Sequence, residues 1–133
     1  MRFLAALLVV TSVLGIGFPV VDVKAGSDDT VSEFFTGIED FPLMPGLSEL
    51  PDATLIFDSP SGRFVEAYAV GKIASDALQD FYNASLPQFG WEATGTTTYR
   101  REGEALEVSI VGPKAVDGTR TIRFAISPLV VGQ

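Results

Sequence analysis

Two turn signals and three alternating stretches near the end of this 133-residue chain are satisfied by one strand register, and that coincidence limits the fold more than composition does. Glu102-Gly103 and Asp117-Gly118 are hairpin signals, because glycine tolerates the positive φ such turns need. With Glu102 and Gly103 at the turn, Arg101 faces Glu104, Tyr99 faces Leu106 and Thr97 faces Val108. Carried through the second turn, Leu106, Val108 and Ile110 meet Ile126, Phe124 and Ile122 on the same face. The prediction is a meander of three strands: Trp91 to Thr94 continuing through Thr96 to Arg101, then Ala105 to Val111, then Thr119 to Ser127. Its reverse face carries Thr96, Thr98, Arg100, Glu107, Ser109, Thr121 and Arg123, a solvent-type set in which Arg123 lies diagonal to Glu107.

Upstream, Ala53 to Phe57 and the alternating run Arg63 to Val70 flank the turn cluster Asp58-Ser59-Pro60-Ser61-Gly62 and predict a first hairpin. In it Val65, Ala67 and Ala69 point one way, and Phe64, Glu66, Tyr68 and Val70 the other. The small Ala67 and Ala69 face suits a close crossing by a helix. That helix is predicted from Ser75, as N-cap, to about Leu86: Leu78, Phe81, Tyr82, Ser85, Leu86 and Phe89 recur at helical steps, Pro87 ends the regular ladder, and Gly90 supplies the stop. The fold class expected is α+β, a five-stranded mainly antiparallel sheet of order ββαβββ with one helix on one face.

The N-terminal part has a different character. Arg2 precedes an almost unbroken apolar run from Phe3 to Val21, and Val23-Lys24-Ala25 presents a small-residue exit. Residues 1–25 therefore read as a secretory signal cleaved after Ala25, which predicts a periplasmic or secreted protein; an uncleaved segment anchoring the chain in the inner membrane is the alternative. Cleavage would leave 108 of the 133 residues, one domain with one modest core. Residues 26–52 read as an acidic, Pro/Gly-broken arm, polar to Glu33, then apolar at Phe34, Phe35, Ile38, Phe41, Leu43, Met44 and Leu47. The arm is expected to lie against the domain of residues 53–128, and deleting Gly26 to Asp52 is expected to leave that domain folded. Residues 129–133 form a C-terminal tail.

Charge narrows the partners. Loss of Arg2, Asp22 and Lys24 with the signal takes 17 acids and 9 bases to 16 and 7, a formal −9. That balance argues against nucleic acid and against anionic membrane surfaces. Every base of the remaining chain lies at Arg63 or beyond, so the first third is purely acidic.

Phe81-Tyr82 followed by Leu86-Pro87-Gln88-Phe89-Gly90-Trp91, then Tyr99-Arg100-Arg101-Glu102 and a strand, resembles a recurrent small α+β domain of bacterial exported proteins. In that group a Pro-Gly segment, here Pro42-Leu43-Met44-Pro45-Gly46-Leu47, and a hairpin precede a helix of this "FY…LPQxGW" type, and a three-stranded meander follows. The resemblance covers about Phe41 to Pro128. It implies a fold and an exported location, and no catalytic residue.

Chemistry is scarce in the residues themselves. The chain has no histidine and no cysteine, so the commonest general base, thiol chemistry, disulfides and soft-metal ligation are all excluded. Serines such as Ser59 and Ser61 would have only Lys72 or Lys114 as partners, and no S-x-x-K spacing occurs. Asp58 and Glu66 are the nearest approach to a paired-carboxylate site. No cofactor or metal is expected. The functional reading is a noncatalytic accessory or interaction module of the bacterial envelope. Its candidate face is Phe64 and Tyr68 beside Arg63 and Arg123, with Phe35 and Phe41 of the arm either covering that face or joining it. A small-ligand carrier with a pocket between helix and sheet is the alternative, and a weak hydrolase the third reading.

Overall fold

The structure is a computed structural model that describes residues 34–129. The signal reading of residues 1–25, the polar lead-in of 26–33 and the tail from 130 lie outside the described residues. The fold is α+β, with one α-helix and an antiparallel sheet. Seven strands are present among the described residues, two more than the sequence predicts. In chain order they are β1 (Ser48–Glu49), β2 (Leu55–Ser59), β3 (Gly62–Gly71), α1 (Ser75–Ser85), β4 (Glu92–Ala93), β5 (Thr98–Arg101), β6 (Glu104–Val111) and β7 (Arg120–Pro128). The sheet order is β1-β3-β7-β6-β5-β4, and β2 also pairs with β3, beside β1 on the edge away from β7.

The expected pairs are the ones observed: Tyr99 opposes Leu106 across the Glu102-Gly103 turn, and Leu106, Val108 and Ile110 oppose Ile126, Phe124 and Ile122. The second connection is a longer loop, residues 112–119, in which Asp117-Gly118 belongs to a local turn closed by the Gly118 amide on the Ala115 carbonyl at 2.9 Å. The extra strands come from two breaks. The predicted run from Trp91 to Arg101 doubles back on itself, with β4 pairing β5 (Glu92 opposite Arg100, Ala93 opposite Tyr99). Gly95 makes the reversal, its amide donating to the Thr98 carbonyl at 3.3 Å, where a β-branched threonine run had read as continuous strand. At the other edge the arm enters the sheet as β1, then makes a short 3-10 turn at Pro51–Ala53 before β2.

α1 begins one residue differently from the prediction. Ala74 is the N-cap residue in extended conformation, Ser75 is the first helical residue, and no side chain caps the helix. Its end follows the sequence: a 3-10 turn over Leu86–Phe89 starts where Pro87 forbids more α-helix, and Gly90 adopts φ 85°.

α1 shares the core face with the arm. Phe35 and Phe41 pack edge-on against Phe124 of β7 at 4.9 and 5.5 Å, and Tyr82 of α1 reaches the same ring at 5.4 Å. The Tyr82 hydroxyl donates to the Pro42 carbonyl (3.1 Å) and accepts from the Met44 amide (3.3 Å), so helix and arm are pinned to each other. The close crossing expected beside Ala67 and Ala69 is made by the arm at the end of β3: a Cβ on Gly71 would stand 2.2 Å from the Gly46 carbonyl oxygen. Phe35, Ile38, Phe41, Leu43 and Leu47 are all buried with the sheet and helix residues in one core. The arm is thus part of the core and not a separate cover over the domain of residues 53–128, which argues against the expectation that deleting residues 26–52 spares the fold.

Candidate binding face

Strand alternation sorts the side chains of β3 onto two faces, and only one of them is covered. Val65, Ala67 and Ala69 face the core. Phe64, Glu66 and Tyr68 face the other way, and the first two line a concavity of about 770 Å³ that crosses β2, β3, β7, β6 and β5. Its apolar end is built by the two-residue turn at Pro60-Ser61, which sets Phe57 opposite Phe64. Those rings stack with centroids 4.9 Å apart and planes 12° from parallel. Leu55 lies two residues along on the same face.

The polar end is a three-residue network. Tyr68 and Arg123 are direct cross-strand partners, and both converge on Glu66. The Tyr68 hydroxyl donates to one oxygen of the Glu66 carboxylate, and Arg123 Nη2 donates to the other at 3.1 Å. The hydrogen bond from Arg123, then that from Tyr68, holds the Glu66 carboxyl below its usual range. In return the bond to Glu66 raises the Tyr68 phenol above its usual value. Burial raises the other tyrosines, Tyr82 and Tyr99, as well.

A proton-linkage prediction follows from these directions. Each phenol is protonated more firmly in the fold than in the unfolded chain, so its contribution to stability is intact below about pH 10 and is lost as pH rises through the raised folded value. Alkaline titration at 295 nm should show none of the three tyrosines ionising at the ordinary phenol value. Glu66→Gln should bring one of them, Tyr68, down toward it; three normal phenols in the native protein would refute the network.

The sequence-predicted residues divide. Phe64, Tyr68 and Arg123 do share this face. Arg63 does not: it has the parity of Val65 and projects to the helix side, where its Nε and Nη2 donate to the two Glu104 oxygens at 2.6 and 3.2 Å. Hydrogen bonding to Glu104 raises its guanidinium pKa further. Phe35 and Phe41 neither cover nor join the candidate face, since both are buried on the opposite side of the sheet. Arg123 pairs with Glu66 in place of the predicted Glu107. Leu55 and Phe57 were missed as members of the face, although the turn at Pro60-Ser61 fixes Phe57 opposite Phe64, and Glu66 was placed on the face by alternation without being singled out as a site residue.

The candidate chemical pairs do not assemble. Asp58 opposes Arg63 and Glu66 opposes Leu55, so the two carboxylates project from opposite faces of the sheet. The Ser59 hydroxyl is used within its own turn, donating to the Gly62 carbonyl and accepting from the Ser61 amide. Among the described residues there is no cluster of three metal-ligating side chains, and no helix is long and apolar enough to cross a membrane. A second cleft, of about 280 Å³, opens between α1 and β5–β6 over Leu78, Tyr82, Tyr99 and Val108, with Gln79 and Ser109 at its rim.

Compared with protein-family models, with curated proteins and with solved structures, the chain matches none of the three.

Proposed function

We propose that the protein is a noncatalytic accessory module of the bacterial envelope, exported by the segment 1–25, which binds a partner polypeptide on the outer face of its sheet. The observation that supports this reading most is the contrast between the two faces. One is closed by arm and helix, and the other presents the stacked Phe57–Phe64 pair, Glu66 and Arg123 in one concavity, with Tyr68 bonded to Glu66 beside it. Exposed aromatics beside an arginine are the side chains that dominate binding energy at protein interfaces. The acidic balance of the chain turns the face away from nucleic acid.

The reading is tested by placing a photo-crosslinking amino acid at Phe64 and, as control, at Asp80 on the exposed side of α1. The Phe64 position should give a discrete adduct in envelope fractions that Arg123→Glu removes, and Asp80 should give none. Equal adducts from both positions, or turnover of a compound that Glu66→Gln abolishes, would overturn it. N-terminal sequencing of the purified protein should begin at Gly26. The cleft beneath α1 supports a second reading, a carrier of a small uncharged ligand, because no charged side chain lines it.

A further inference from the structure

β2 is an edge strand guarded by a single charge. β3 holds it on one side, from Leu55 opposite Glu66 to Ser59 opposite Gly62, and no described strand lies on the other. The main-chain amides and carbonyls of alternate β2 residues therefore face outward. Exposed edges are ordinarily guarded by charged side chains, lysine above all, by proline or by a bulge, and the segment Leu55–Ser59 has one such guard, Asp58, with no lysine, proline or bulge. Leu55, Ile56 and Phe57 are instead 58, 46 and 50 % exposed. Phe57 belongs both to this edge and to the concave face.

The charges along the edge are of one sign. Glu49 lies in β1, Asp52 in the turn that follows it, Asp58 in β2, and Glu39 sits near enough to act on Arg63, the cross-strand neighbour of Asp58. From residue 34 to Gly62 there is no lysine or arginine, and the first base, Arg63, is already bound to Glu104. Two copies meeting β2 to β2 would bring carboxylates of one sign to a shared edge, which favours a basic partner over a second copy as the occupant.

We propose that β2 accepts, by strand addition, an extended partner segment in which apolar residues alternate with lysine or arginine. Pairing supplies affinity through the outward main-chain groups, and alternate side chains supply specificity. Apolar side chains of the added strand continue the Leu55–Phe57 row, and its basic side chains fall on the opposite face, which carries Ile56 and Asp58. This deepens the partner-binding reading and rests on it.

The test is an amide-shift titration of the ¹⁵N-labelled protein, purified as its host matures it, with a blocked Lys-Val-Lys-Val-Lys-Val peptide. Shifts should centre on residues 54–59 and weaken with added salt. A Glu-Val repeat, and the Lys-Val peptide offered to the Asp52→Lys/Asp58→Asn variant, should each bind about tenfold more weakly, the scale of one or two lost cross-strand charge pairs. N-methylation of alternate peptide amides should abolish the shifts. Shifts confined to Thr98, Glu107 and Arg123 would overturn strand addition while leaving the outer-face reading intact. Unmoved β2 amides at millimolar peptide, or sedimentation showing self-association that Ile56→Lys abolishes, would overturn it too. Loss of the Phe64 adduct's dependence on Arg123, with the β2 shifts retained, would instead remove the outer-face reading.

Discussion

A chain that begins at Pro51 should be unfolded where one that begins at Gly26 is folded. The arm delivers five buried side chains to the core, Phe35, Ile38, Phe41, Leu43 and Leu47. Full burial of an apolar side chain of this size stabilises by ~1.5–3 kcal/mol, so the set contributes roughly 10 kcal/mol before the entropy of fixing the arm is subtracted. Whole domains of this size are stable by only about 5–15 kcal/mol, so the remainder is left with little or nothing. Truncation also exposes the Phe124 ring and leaves the Tyr82 hydroxyl without both of its arm partners. The readout is amide-shift dispersion and a cooperative urea transition, both present in the longer chain and absent from the shorter. Phe41→Ala in the longer chain should cost ~3–5 kcal/mol. A shorter chain that melts cooperatively would show that the arm is dispensable cover.

Local pattern carried much of this architecture. The first C-terminal hairpin was legible because its turn glycine and period-two alternation fix a register locally, and the second because the apolar faces of β6 and β7 must coincide, its loop of residues 112–119 being too long to set a register. The destination of the arm was not, since Phe35, Ile38 and Phe41 sit among Gly37 and Pro42 in a segment with no period to assign them a face. The Arg123–Glu66 pair was hidden for a different reason. It depends on β7 lying against β3, a contact between distant parts of the chain that no turn announces, whereas Glu107 was available through the adjacent hairpin. Arg63 was legible and misplaced: the alternation that sends Val65 to the core sends Arg63 there as well, and neighbouring Phe64 along the chain says nothing about sharing its face. The concavity on the polar face gathers residues from five strands distant in sequence, and no local pattern announces that they share one hollow.

Trp91→Ala should cost ~3–5 kcal/mol, the range for emptying a large aromatic site in a core. Only 1 % of Trp91 is exposed. Its amide donates to the Leu86 carbonyl at 3.2 Å, and the Arg101 guanidinium lies 4.5 Å from the ring centroid. Arg101 is tied in turn to the Phe89 carbonyl at 3.0 Å and, more loosely, to Glu104 at 3.8 Å, the carboxylate that also holds Arg63. The ring thus joins the end of α1 to the charged border of the core face, and removing it opens a cavity beside a cation that loses its aromatic partner. Trp91→Phe separates these effects. The indole Nε1–H is buried without a hydrogen-bond partner, so phenylalanine deletes an unsatisfied donor while keeping an aromatic face for Arg101. Its cost should be smaller, about 1 kcal/mol, the lost volume being offset by the donor removed. Since Trp91 is the sole tryptophan, urea midpoints must be followed by circular dichroism rather than by its fluorescence. An alanine variant with an unchanged midpoint would place Trp91 at the surface and make it a binding residue. A phenylalanine variant as damaged as the alanine one would mean that the indole N–H has a partner, most simply a buried water bridging it to the main chain.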